Sequence, residues 1–343
     1  MAHPETTPGL SSPIPSVPGI PAGPTPEPQQ LPADATWLPP ARFAGAPQRH
    51  PWEIPMLVVV ILATLFLYLG IVLVVMVSSF SWQLLSVLGL PLLLAFGRGI
   101  GYARQRVGAV QLTPTQFPEA YQMVVDAAAR YGLEYIPDAY VMNGNGTINA
   151  MASGHGFRRF VVVTSDLFEI GGQARDPETL RFIIGHEVGH IAAGHVSYWR
   201  QLASSIAFAI PVLGTTLSRA QEYTADNYGY YTQPSAAPGV IGVLSAGKYM
   251  LSAIDFDQFA DRATQERGPF VHIVNLLATH PVLTWRAAAL RDRTRPGAMI
   301  ARPKVIVRGV GSGNVAPLNP QPPHPAAVPD GFLPNGMISQ TKP

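Results

Sequence analysis

The chain has 343 residues, a formal charge of +2 and only 13% charged residues, about half the usual share of roughly a quarter. Its mean hydropathy is positive, at +0.17, which counts against a plain soluble protein and points to a membrane segment. The basic residues are spread rather than clustered, so no nucleic-acid partner is expected, and the lack of cysteine excludes disulfide frameworks, Cys-ligated zinc, iron–sulfur clusters and thiol nucleophiles.

Of 35 prolines, 14 fall in residues 1–52 and 9 in residues 303–343. Proline removes backbone donors, and these ends hold too little apolar surface to offset ordering entropy. Residues 1–52 and 297–343 therefore read as disordered Pro-rich ends. PxxP spacings such as Pro18 to Pro21 suit either a solvated tether or a ligand for partner proteins.

Residues 56–77 carry no charge. At 1.5 Å per residue such a stretch covers a hydrocarbon core of about 30 Å. Residues 80–97 are also uncharged, with Pro91 inside, and read as a second span; an interfacial or re-entrant segment is the alternative. Together they form a transmembrane hairpin over residues 53–98. Arg42 and Arg49 precede it, and Arg98, Arg104 and Arg106 follow it. The positive-inside rule then puts both flanks, and the large C-terminal part, in the cytoplasm. The expected location is the cell (inner) membrane, multi-pass, with the lipid bilayer as a partner.

Residues 99–296 have a globular composition. Phe117–Tyr131 has a helical apolar period that Gly132 can end. Ala139–Met142 and Arg159–Thr164 read as strands around the turn Asn143–Gly146, and Thr147–Met151 as a third. Asp176-Pro177-Glu178 is a helix start, and that helix should run through His186–His195. Residues 202–217 are apolar around Pro211 and read as a short buried or membrane-resting hairpin. Helical patterns continue over Val240–Ile254 and Val282–Arg293.

His186-Glu187-Val188-Gly189-His190 is an H-E-x-x-H. Residues four apart share a helix face, so both imidazoles can reach one Zn²⁺. Glu187 is placed to take the proton of a water at that ion. A third ligand is needed. His195 lies nine residues after His186, out of register for the ten-residue spacing of a metzincin, and reads as an ordinary polar residue. Glu222 and Asp226 share a face in Ser218–Asp226. On spacing alone two readings stand: Glu222 on the metal with Asp226 on a ligand imidazole, or a solvated acidic face with Arg219 as an ion-pair partner.

Taken in order, HEVGH, SRAQEYTAD, and His280-Pro281 with Arg286 downstream resemble the HtpX-like and CAAX-prenyl-endopeptidase family of gluzincin metallopeptidases. Asn149-Ala150-Met151-Ala152, followed by Gly154, resembles that family's edge-strand pattern with Met for Phe. The resemblance covers about residues 112–295 plus the membrane hairpin. This chain departs from it in having room for only one short apolar hairpin between HEVGH and Glu222. The resemblance implies an α+β, zincin-like domain and one Zn²⁺ per chain held by His186, His190 and Glu222. It implies a supporting role for Asp226, and Asn149 and Ala150 as a strand that binds substrate backbone. It implies a place near the active site for His280, whose bland reading is a helix-start residue before Pro281. Arg286 pairs with an active-site acid or lies on the surface. His50, His155, His272 and His324 are assigned no role. The expected activity is zinc-dependent endopeptidase action on polypeptide in membrane or misfolded-protein quality control. The competing expectation is a catalytically silent membrane scaffold that recruits partners through its Pro-rich arms.

Overall fold

A computed structural model describes residues 47–77, 82–155, 158–171, 176–204 and 210–303. The expectations for residues 1–46, 78–81 and 304–343 lie outside the described residues. The chain is a mixed α+β, helix-rich structure with one four-stranded sheet among the described residues.

The first helix, α1 (Glu53–Val77), has 25 residues and is the one described helix long and apolar enough to cross a membrane. Leu65, Phe66 and Leu73 on it are exposed. The second, α2 (Trp82–Val107), contains Pro91 and exposes Leu92, Leu93 and Phe96. The helix itself runs nine residues beyond the expected hairpin boundary at residue 98. Tyr102 packs edge-on against Phe160 at 5.9 Å, and Gln105 reaches Met151 Sδ and Ser153 Oγ, so the helix continues onto the sheet.

Short parts of the two expected Pro-rich ends, residues 47–52 and 297–303, fall among the described residues. Asn227 Nδ2 donates to the Gln48 carbonyl at 2.6 Å, and His50 Nε2 lies 2.9 Å from the Gly297 carbonyl. Tyr223 Oη and Asn275 Nδ2 donate to the Ala298 and Met299 carbonyls. Hydrogen bonds thus tie both segments to the folded part, and His50, to which the sequence assigns no role, is a buried structural tie.

The sheet order is β1-β2-β4-β3, with β1 (Val110–Gln111), β2 (Asp138–Met142), β3 (Ala150–His155) and β4 (Arg158–Thr164). β2 and β4 are parallel; the other pairs are antiparallel. Asn145 (φ 47°) and Gly146 (φ 87°) make the tight turn before β3, closed by Thr147 N–H on the Gly144 carbonyl. Ala139, Val141, Val161 and Val163 face the main core. Tyr140, Phe160 and Val162 face the other way and are covered by Tyr102 of α2.

Next along the chain come α3 (Pro118–Arg130), α4 (Ser165–Gly171), α5 (Pro177–Ala192) and α6 (Tyr198–Ala203). They are followed by α7 (Leu213–Thr232), α8 (Ala237–Ala246), α9 (Phe256–Gln265), α10 (Pro269–Leu277) and α11 (Leu283–Arg291). α3 ends as expected, with Gly132 at φ 67°. α5 begins as expected: the Asp176 carboxylate accepts from Thr179 N–H at 3.0 Å, and Pro177 opens the first turn. Its end differs. It stops at Ala192 because Gly194, at φ 76°, turns the chain, so His195 lies beyond the helix. Residues 205–209 of the expected apolar hairpin lie outside the described residues. Residues 213–217 begin α7, which starts just after Pro211. Gly247, at φ 80°, ends α8 before the expected helix reaches Ile254.

α5 is buried nearly all round, as a central helix must be. Phe182 on it and Phe160 of the sheet are fully buried, each contributing about 1.5–3 kcal/mol by leaving water. Glycine brings α5 close to α7. A Cβ on Gly189 would lie 2.5 Å from Tyr228 Cβ, and one on Gly229 would lie 2.6 Å from the Phe182 ring. Gly189→Ala should therefore lower stability by about 1–3 kcal/mol, although alanine is the better helix former. Urea unfolding of the detergent-solubilised chain checks this; unchanged stability would show that α5 and α7 have room to separate.

Candidate metal centre

α5 and α7 carry the donor groups. His186 and His190 stand one turn apart on α5, and Glu222 lies opposite on α7. One ligand atom from each falls within 4.8 Å of the others. The His186 and His190 Nε2 atoms are 3.2 Å apart. Glu222 Oε2 lies 3.4 Å from His186 Nε2, and Oε1 lies 3.5 Å from His190 Nε2. Three donors at about 2.0–2.1 Å from a tetrahedral Zn²⁺ would be about 3.3–3.4 Å apart, so the spacing fits that ion.

The electrostatics fit as well. Glu222 Oε2 is buried and has no hydrogen-bond partner among the described residues. Burial opposes ionisation of Glu222, yet the imidazoles of His186 and His190 hold its carboxyl well below the usual carboxylate range. Burial drives His190 well below its ordinary value, towards the neutral ring that donates a lone pair. For His186 burial acts in the same direction, but hydrogen bonds to Asp226 and Glu222 raise it to about 9. The pocket thus attracts positive charge at the point where the three donors meet.

Asp226 lies one turn after Glu222, and its Oδ1 is 3.0 Å from His186 Nδ1. Arg286 of α11 grips Asp226 with two bonds, Nε at 2.7 Å and Nη2 at 2.6 Å. Burial alone would raise the Asp226 carboxyl, but Arg286 and His186 lower it. An ionised Asp226 can only accept, so a proton is held on His186 Nδ1, and Nε2, facing Glu222, is the nitrogen that can give up its proton to a metal ion. Arg286 is therefore a buried partner of the site, not a surface residue.

Glu187 is buried between the two histidines in sequence. Burial pushes its carboxyl up to about 7; His186 opposes this, Glu222 adds to it, and the Ala152 backbone amide opposes it. That amide belongs to β3, an edge strand of the sheet. Asn149, just before β3, has its carbonyl tied to Thr164 N–H at 2.9 Å and its N–H tied to Thr164 Oγ1 at 3.0 Å. In an antiparallel pair the bonding direction alternates, so the backbone groups of Ala150 and Ala152 point away from β4.

His280 stands in the loop between α10 and α11. It is largely exposed, with Nε2 3.4 Å from Glu222 Oε1. Asn275 Oδ1 accepts from Val282 N–H, and Arg219 donates to the Leu276 and Ala278 carbonyls, so both hold this loop. Arg219 is thus a buried clamp on α7, not the surface ion-pair partner of Glu222. His195 also departs from expectation. It is buried, and its Nδ1 lies 2.8 Å from His190 Nδ1.

Replacing Arg286 with Met would leave Asp226 ionised and buried without its main counter-charge. Breaking a buried pair from one side costs about 3–5 kcal/mol, so Arg286→Met should unfold at a much lower urea concentration. A loss under about 1 kcal/mol would place the pair in a solvated environment instead.

A comparison with curated proteins found no match, and neither did one with solved structures. Residues 114–203 and 198–294, more than half of the chain, match Peptidase family M48. The match begins before β2, spans α5 and α7, and ends after α11, so it takes in every group of the site just described. The chain belongs to Peptidase family M48, a family of zinc-dependent metallopeptidases.

Proposed function

We propose that this chain is a membrane-anchored zinc endopeptidase in which His186, His190 and Glu222 hold the ion and Glu187 is the general base. One observation carries the reading: two imidazole nitrogens and a carboxylate oxygen, all at least largely buried, converge within reach of a single Zn²⁺. When bound, zinc supplies Lewis-acid polarisation of a peptide carbonyl and makes water at the site more acidic. Glu187 accepts the proton of the attacking water and delivers it to the leaving amine nitrogen. Asp226 keeps the His186 ring in the tautomer that donates from Nε2. His280, exposed beside Glu222, is available as a donor to the developing oxyanion. An extended peptide adds to the outer edge of β3 at Ala150, with Asn149 anchoring the start of that strand on β4. Water is the nucleophile, and no covalent enzyme intermediate forms.

The exposed apolar side chains of α1 and α2 support a membrane hairpin. The start of α1 packs on α7 through Glu53, and the end of α2 packs on β3 through Gln105. Both outer ends of the pair thus meet the catalytic part, as a hairpin that leaves and re-enters one side requires. The flanking arginines favour the cytoplasm for that side, in the cell membrane. Residues 53–98 form the anchor and 99–296 the peptidase domain, onto whose sheet the end of α2 packs through Tyr102 and Gln105. The substrates are unfolded or membrane polypeptides, the class that quality control handles.

The test is cleavage of an unfolded protein by the detergent-purified chain. Wild type should cut, and a chelator should stop it. Glu187→Gln should retain zinc yet lose about 10²–10⁴-fold in rate. Zinc held by both proteins with no cleavage by either would contradict the peptidase reading.

A further inference from the structure

The second imidazole of the site is backed by contacts that end on the first apolar helix. Zinc on His190 Nε2 would take that lone pair, which places the ring proton on Nδ1. Nδ1 faces His195 Nδ1 at 2.8 Å, so His195 accepts there and keeps its own proton on Nε2. That nitrogen lies 3.2 Å from Glu53 Oε1, off the line of a well-aligned hydrogen bond. Glu53 is the first residue of α1, and its side chain is fully buried.

Glu53 is also bound elsewhere. Arg49 and Arg200 donate to Oε1 at 2.6 and 2.9 Å, and Thr224 Oγ1 donates to Oε2 at 2.5 Å. Thr224 lies two residues after Glu222 on α7. Two guanidinium groups already offset the charge of the buried carboxylate, so anchoring α1 does not require His195. The imidazole instead fills the gap between the carboxylate and His190. His186 is backed directly by Asp226; His190 is backed by a carboxylate one imidazole further away.

We propose that Glu53, acting through His195, is a positioning residue for His190, so that the start of the membrane helix is a working part of the metal centre. The proposal rests on His190 being a zinc ligand. It makes metal retention depend on how α1 is seated against the peptidase domain.

The test measures zinc affinity of the full chain in detergent by competition with a chromophoric chelator. It compares wild type, Glu53→Gln, His195→Leu and the double variant. The visible spectrum of the Co²⁺-loaded proteins and the urea unfolding of the metal-free proteins are recorded alongside. Each single variant should lose about 10–100-fold in affinity and shift the Co²⁺ bands. The double variant should lose no more than the worse single one, because both changes break one chain of contacts. A merely structural role would lower the unfolding midpoint and leave the Co²⁺ spectrum unchanged. Wild-type affinity and spectrum in His195→Leu would overturn the proposal, as would losses that add in full. Should Glu53→Gln not fold, His195→Leu decides alone, since it leaves the three other partners of Glu53 in place. A wild-type chain without tight zinc binding would overturn the ligand reading itself, and the relay with it.

Discussion

Two imidazole nitrogens and a carboxylate face one another at 3.2 to 3.5 Å in a buried site. Groups of this kind are costly to gather out of water unless a proton or a cation lies among them. Something must hold the three groups together, and most of the core serves that end. α5 is capped at Asp176 and buried nearly all round, which fixes the two histidines. Gly189 and Gly229 let α7 come close enough to bring Glu222 opposite them. Asp226 and Arg286 then lock α7 to α11 behind His186. If the cluster takes a metal ion, binding and folding are linked, because the ion would stabilise the folded arrangement.

The readable parts of the chain were those governed by local rules. The H-E-x-x-H spacing, the Asp176 cap, the paired faces of Glu222 and Asp226, and the turn at Asn145-Gly146 depend on neighbours a few residues away. The helix stop at Gly194 was legible by the same rule, since glycine just past a helix favours the left-handed turn. The apolar run around Pro211 is described only in part: α7 begins just after that proline, as a helix start allows.

The unreadable parts rest on contacts between distant residues. Arg219 next to Glu222 looked like a surface pair, but its guanidinium turns the other way and holds the loop that bears His280. His50 looked like part of a Pro-rich arm, yet it ties that segment to Gly297. Glu53 reads in the sequence as a polar residue at the edge of an apolar run. Only the fold places it against His195, Arg200 and Thr224. The first apolar helix and the His186–His190–Glu222 cluster are separate segments in the sequence and neighbours in the structure.

The central claim is that His186, His190 and Glu222 form one zinc site. X-ray absorption at the zinc edge of the purified chain tests it most directly, with Glu222→Ala alongside. The account predicts about one zinc per chain, in a four-coordinate shell of nitrogen and oxygen at about 2.0–2.1 Å, altered or lost in the variant. A chain purified without tightly bound zinc, or a shell unchanged by Glu222→Ala, would contradict it.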